Sequence, residues 1–366
     1  MADMFAWENQ YRSTTLEFRE SINRSAQDSD AKSPPVIDGF EDFAIIQLQE
    51  LFQSNSSPKE TSDAIAASFC RQKEPEECWY AFNSAFMSAA EYTDDDGVQK
   101  RLVQLILELC RRPVARNESG VDMELNRNRP FGDPPKIKPG EPIISSIGRL
   151  RYFADAPGFG LYIREAWNGK SMPDSQVPMH SSSSQLTVLL GPRSTGSYGE
   201  GLDIKRIQFA NLNAFLAHLT LAGMAVDHFP FGTWPQSFGL WTIAEALETH
   251  DQGKSEDWIR AAACWFKICG KAIYDNSDWG WDPDGAISGY EGQIWKARKR
   301  EDDSADARWD LWMQRASELA AMMDVDEGVR GAARDCLREM SSVSGTTHAR
   351  QQHTLDHRQP PHQAVG

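Results

Sequence analysis

Basic residues are in deficit in this chain: 38 Lys and Arg face 53 Asp and Glu, a net charge of −15 over 366 residues. Without a basic stripe, neither nucleic acid nor an anionic membrane surface is an expected partner. No stretch supplies the roughly 20 consecutive apolar residues of a membrane span. The opening residues Met1 to Asn9 carry acid where a secretory leader carries basic residues, and no apolar core follows them, so no leader is expected. Six cysteines (Cys70, Cys78, Cys110, Cys264, Cys269, Cys336) show neither a CxxC pair nor zinc-ligand spacing. Reduced thiols in a soluble cytoplasmic protein are therefore expected, with neither metal nor cofactor. Two further absences matter. No GxSxG nucleophile motif occurs, and the glycines at Gly158-Phe-Gly160 and Gly196-Ser-Tyr-Gly199 lack the strand-turn-helix setting of a phosphate loop. No internal repeat is found either, which excludes a regular solenoid.

What is present is helical. Apolar residues make up 40% of the chain, with 12 Trp and 17 Phe, ample for a real core. Trp7, Tyr11, Phe18 and Ile22 define one stripe. Asp38 can cap a helix carrying Phe40, Phe43, Leu48 and Leu51. Ser57-Pro58-Lys59-Glu60 reads as a capping box with proline in the first turn, opening a helix that runs to about Cys70. Trp79, Phe82, Phe86 and Ala90 make the fourth stripe, and Val98, Leu102, Leu105 and Leu109 the fifth, stopped at Pro113. Intervals of three and four specify helices, and only Gln185 to Leu190 reads as a strand. The expected fold class is all-α, an irregular multi-helix bundle.

Its expected centre is the run Asn211 to Ala225, which carries no charge and is apolar on nearly every side. A helix of that kind belongs among other elements rather than on a surface. The chain should divide into an N-terminal helical region (1–112), a proline-rich linker (113–145) and a C-terminal helical region (146–340). A Ser-rich insertion at 170–200 interrupts the last of these, and a disordered tail (341–366) follows it. The tail holds His348, His353, His357 and His362 but almost no apolar residue to offset its ordering entropy.

Candidate chemistry gathers round the central helix. His218 and Asn211 are seven residues apart and share a face, while Arg206, Asn213 and Thr220 form a second polar line at the same interval. Asp227 and His228 follow the helix, and Glu245 lies beside Trp241 on the next one. A His218 paired with Asp227, His228 or Glu245 in an aromatic cavity could act as general acid and base. Arg206, Asn211, Asn213 and Trp241 would then bind the substrate. The competing reading is structural, since buried polar groups on facing helices satisfy one another.

Three other motifs have plain explanations. Asp302-Asp303-Ser304-Ala305-Asp306 matches a diphosphate-binding DDxxD pattern, yet it stands where acids favour a helix N-terminus. Asp278 to Gly285 resembles an acidic calcium loop but is interrupted by Pro283, which suits a turn. Lys296-Ala-Arg-Lys-Arg300 reads as a solvated helix end, with nuclear import as its alternative.

Several strings together carry a resemblance: Tyr162 to Asn168, Asn211 to Leu219, Phe238 to Glu248, Trp258 to Trp265 with Gly270 and Tyr274, and the approach to Trp295. The chain resembles a family of filamentous-fungal proteins known only as domain of unknown function 3632. The similarity covers about 150–325 well and the N-terminal helices loosely. It implies an all-helical fungal protein and supplies no activity, cofactor or catalytic residue. The leading expectation is a non-catalytic binding or interaction protein, whose partner is an unknown protein or a small hydrophobic molecule. The rival is an accessory enzyme acting on a small hydrophobic substrate in fungal secondary metabolism.

Overall fold

A computed structural model describes residues 39–125, 136–145, 150–171, 200–225, 234–275 and 291–356, without the side chains of 169–171, 200–203, 234 and 345–356. The Trp7–Ile22 stripe, the capping role of Asp38, the Gln185–Leu190 strand and the Asp278–Gly285 loop lie outside these residues. The chain forms two units, residues 1–232 and 233–366.

The described part of the first unit begins with α1 (Phe40–Phe52), α2 (Pro58–Phe69), α3 (Pro75–Tyr92) and α4 (Asp96–Cys110). Gly39, in a left-handed conformation with φ 79°, stands at the N-cap of α1. The capping box at α2 is realised in full. Ser57 Oγ accepts from Glu60 N at 3.2 Å, and Glu60 Oε2 accepts from Ser57 N at 2.8 Å. Asp95 caps α4 through Val98 N at 2.8 Å. The stripes at Trp79, Phe82, Phe86, Ala90 and at Val98, Leu102, Leu105, Leu109 are buried throughout, as the three-four spacing requires.

The described residues of the expected linker, 113–125 and 136–145, pack and bond within the first unit, and the division between units falls at 232. Glu118 N bonds Cys70 O at 2.7 Å, and Asn117 Nδ2 donates to both Val121 O and Ile137 O at 2.7 Å. Two short strands, β1 (Met123–Glu124) and β2 (Lys136–Ile137), pair antiparallel, with Met123 facing Ile137. Prolines stopped the helices here, but backbone and Asn117 hydrogen bonds supply what helical bonding does not.

α5 (Phe159–Ser171) and α6 (Glu200–Met224) complete the unit. α6 packs on α3, α4 and α5, and is buried from Gln208 through Thr220 except at Ala210 and Ala214. Its ends are another matter. Ile204, Ile207, Leu221 and Met224 are 52%, 45%, 37% and 48% exposed, so the helix is central only over its middle turns.

The second unit contains α7 (Trp234–Leu247), α8 (Gln252–Asp275), α9 (Gln293–Arg298), α10 (Ala305–Ala321) and α11 (Glu327–Asp356). α8 packs on α7 and α11, and α10 packs on α11. Gly239 lets α7 approach α8: a Cβ at that position would lie 2.7 Å from the Trp265 ring. Phe266 meets Trp309 and Trp312 edge to face, and the two tryptophans tilt against each other, with ring centres 5.7–5.9 Å apart. α11 passes Ser341, where disorder was expected to begin, and stays helical to Asp356; Met340 is fully buried and Ser344 Oγ bonds Met340 O at 3.1 Å. Eleven helices and one two-residue ladder among the described residues make the fold all-α. No helix among these residues is long and apolar enough to cross a membrane.

Candidate functional site

The candidate residues fall in different units. Arg206, Asn211, Asn213 and His218 stand on α6 of the first, and Trp241 and Glu245 on α7 of the second. Asp227 and His228 lie outside the described residues.

On α6 the polar groups bond to the first unit's own helices. His218 is 7% exposed, and its Nε2 lies 2.9 Å from Oδ1 of Asp96 in the first turn of α4. Asp96 is the carboxylate that sequence reasoning missed. It is half-exposed and also receives the Lys100 ammonium at 2.6 Å. That hydrogen bond is the main reason its carboxyl is held below the usual range, with the nearby His218 adding to the effect and partial burial opposing it. The signal was available, because an acid run at a helix start is a place where a buried imidazole can find a partner.

Asn211 Nδ2 donates to Glu91 O at 2.9 Å, joining α6 to the last turn of α3. Gln99 Nε2 donates to Ala90 O, Thr93 O and Asn211 O at 3.0, 2.7 and 3.2 Å, so one buried amide ties together α3, α4 and α6. Asn213 Nδ2 turns back to Phe209 O of its own helix at 2.8 Å. Arg206 lies partly exposed.

In the second unit, Glu245 bonds the exposed Lys254 at 3.2 Å, and Trp241 packs edge to face on Phe238, both at the helix surface. The carboxylate that organises this unit is three residues further on. Glu248 is 0% exposed. Its Oε1 accepts from Arg308 Nε and Trp312 Nε1, both at 2.7 Å, and its Oε2 from Gly292 N at 2.7 Å and Arg308 at 3.2 Å. The Arg308 guanidinium in turn lies 5.3 Å above the Trp312 ring and 5.6 Å above that of Trp295. Glu248 could have been singled out from sequence, since an acid at the C-terminal end of a helix opposes the macrodipole and needs a cation.

The DDxxD segment caps a helix. Asp302 Oδ1 accepts from Ser304 N at 2.9 Å, and Ser304 Oγ accepts from Ala307 N at 3.1 Å at the start of α10. No group of three or more His, Cys, Asp or Glu suited to a metal ion occurs among the described residues. At Lys296–Arg300, Lys299 pairs with Glu291 at 2.6 Å and Arg298 reaches Gln314 at 3.3 Å, as on a solvated helix end. Burial pushes the thiols of Cys78 and Cys110 up to about 12 and that of Cys264 to about 11, so they are protonated and poor nucleophiles at neutral pH.

Residues 83–316 match the model of a family described as a protein of unknown function (DUF3632). No curated protein and no solved structure matches the chain.

Proposed function

The chain belongs to the DUF3632 family, and from its own residues we propose that it is a non-catalytic binding or interaction protein of the cytoplasm. One observation carries the reading. Asn211, Asn213, His218 and Glu245 each make a hydrogen bond within their own unit, and three of these, from Asn211, His218 and Glu245, hold one helix to another. A general base must instead reach a substrate proton. The protonated thiols point the same way. The rival enzyme reading draws on Asp96, whose half-exposed carboxylate gives the His218 pair an opening to solvent.

His218→Ala separates the two. Asp96 keeps Lys100 and water when the imidazole is lost, so the variant should be destabilised by only about 1–2 kcal/mol, mostly from the cavity. In a source-organism strain lacking the gene, the variant should restore the wild-type phenotype in proportion to folded protein. A stable, abundant His218→Ala protein that leaves the deletion phenotype intact, with the same change in metabolite profile, would overturn the reading in favour of catalysis.

A further inference from the structure

Asn83, on α3, is fully buried, and both polar atoms of its carboxamide lack a hydrogen-bond partner. Buried amides in native folds are paired, so two unmet atoms on one side chain ask for an explanation. The surroundings of Asn83 offer one. It stands one turn after Trp79 and Tyr80 and one turn before Phe86, so these three flank it on the same side of the helix. Each of them meets residues at or just before the start of α5. Trp79 Nε1 donates to Pro157 O at 2.7 Å, the Tyr80 and Tyr162 rings lie 6.1 Å apart, and those of Phe86 and Phe159 lie 5.7 Å apart. The carboxamide is thereby enclosed between α3 and residues 157–162, among aromatic rings.

The chemistry of this place narrows what can meet the amide. A cation satisfies only Oδ1, and an anion only Nδ2. Burial, with the charges of Glu76 and Glu77 adding to it, pushes the Tyr80 hydroxyl up to about 12, so a charged ligand would also lose its hydration here. A neutral group that presents a donor and an acceptor side by side satisfies both atoms at once, as the edge of an amide does. Aromatic walls favour a flat ring to carry that edge. The segment leading into α5 supplies a way in. Phe153 and Ala156 hold left-handed φ angles of 71° and 40°, a strained backbone for residues with side chains, and displacing the segment relieves that strain.

We propose that Asn83 is the recognition group of a small-molecule site between α3 and the start of α5, and that its ligand is a flat, uncharged ring with a lactam edge. The proposal rests on the binding role put forward above and names a ligand class for it. His218 bonds Asp96 of α4 and takes no part in this site. A failure here therefore removes the ligand class and leaves the His218→Ala experiment to decide between binding and catalysis.

The probe is 2-pyridone, and its control is 1-methyl-2-pyridone, which keeps the ring and the oxygen but has no N–H. In a ligand-detected NMR titration of the full chain, 2-pyridone should bind with a Kd on the order of 1 mM, as suits so small a ring. The methyl compound should bind at least about tenfold more weakly, because it leaves the Asn83 oxygen unmet. A folded Asn83→Leu variant should likewise bind 2-pyridone at least about tenfold more weakly than the wild type. The comparison of the two compounds on the wild-type chain decides the matter even where the leucine variant does not fold. No binding of 2-pyridone up to about 10 mM, equal binding of the two compounds, or a folded Asn83→Leu variant that binds 2-pyridone as the wild type does would each overturn the proposal.

Discussion

In the first unit the Asn83 carboxamide is wholly buried on α3, and neither its oxygen nor its nitrogen has a hydrogen-bond partner. In the second, the equally buried Glu248 carboxylate takes four hydrogen bonds from an arginine, a tryptophan and a backbone amide. Charge explains the contrast. An unpaired neutral amide costs a domain a few kcal/mol, whereas an unpaired buried carboxylate costs enough to unfold it. The second unit therefore had to bring α10 and the 291–294 segment onto the end of α7, while the first could tolerate Asn83. A buried ion marks where a fold is committed. A buried neutral orphan marks where it can still be improved.

The largest effect should come from breaking the satisfied member. Glu248→Ala leaves Arg308, Trp312 Nε1 and Gly292 N without their acceptor and should cost about 3–5 kcal/mol in denaturant unfolding. Glu245→Ala, three residues away with an exposed lysine partner, should cost less than about 1 kcal/mol. Comparable losses at the two positions would remove the distinction. Gly292→Ala attacks the same junction sterically. Its Cβ would stand 2.4 Å from Glu248 Cβ and 2.6 Å from Glu248 O, so about 2–3 kcal/mol of overpacking strain is expected.

Asn83 should respond with the opposite sign. Asn83→Leu keeps the volume and removes two orphaned polar atoms, and should stabilise the protein by about 1 kcal/mol. A loss on this substitution would show that the amide is satisfied in solution.

The helices were legible because their chemistry is local. The capping box at Ser57 and the three-four stripes of α3 and α4 need nothing beyond their own residues. The short strands at Met123 and Lys136 were not, since a two-residue ladder has no period and its stability comes from Asn117 and the end of α2. The candidate site was half legible. Spacing placed His218 and Asn211 on the buried side of α6, but their partners Asp96 and Glu91 lie more than a hundred residues earlier, where no periodicity reaches. The same limit let Glu248 pass unnoticed, since its partners come from 44 to 64 residues downstream. Apolar composition also misled at the ends of α6, since it cannot say which side a neighbouring helix will leave uncovered.

The smallest effect belongs to Asp96, the half-exposed counterpart of Glu248, and its sign follows from linkage. Its folded-state carboxyl lies below the ordinary value, chiefly through the Lys100 hydrogen bond and secondarily through His218. A carboxylate depressed on folding contributes stability that is fully present above the unfolded value, near pH 4, and is lost as pH falls through the folded one. Asp96→Asn should therefore lower stability slightly at neutral pH and flatten its decline below about pH 4. Because solvent screens the pair, the difference at neutral pH should stay within about 1 kcal/mol. Asp63, depressed likewise by Lys59 and Arg112, adds acid sensitivity of its own, so the measurement is sharpened in an Asp63→Asn background. An Asp96→Asn variant whose acid limb is as steep as its parent's would mean that neither Lys100 nor His218 holds the Asp96 carboxylate charged in solution.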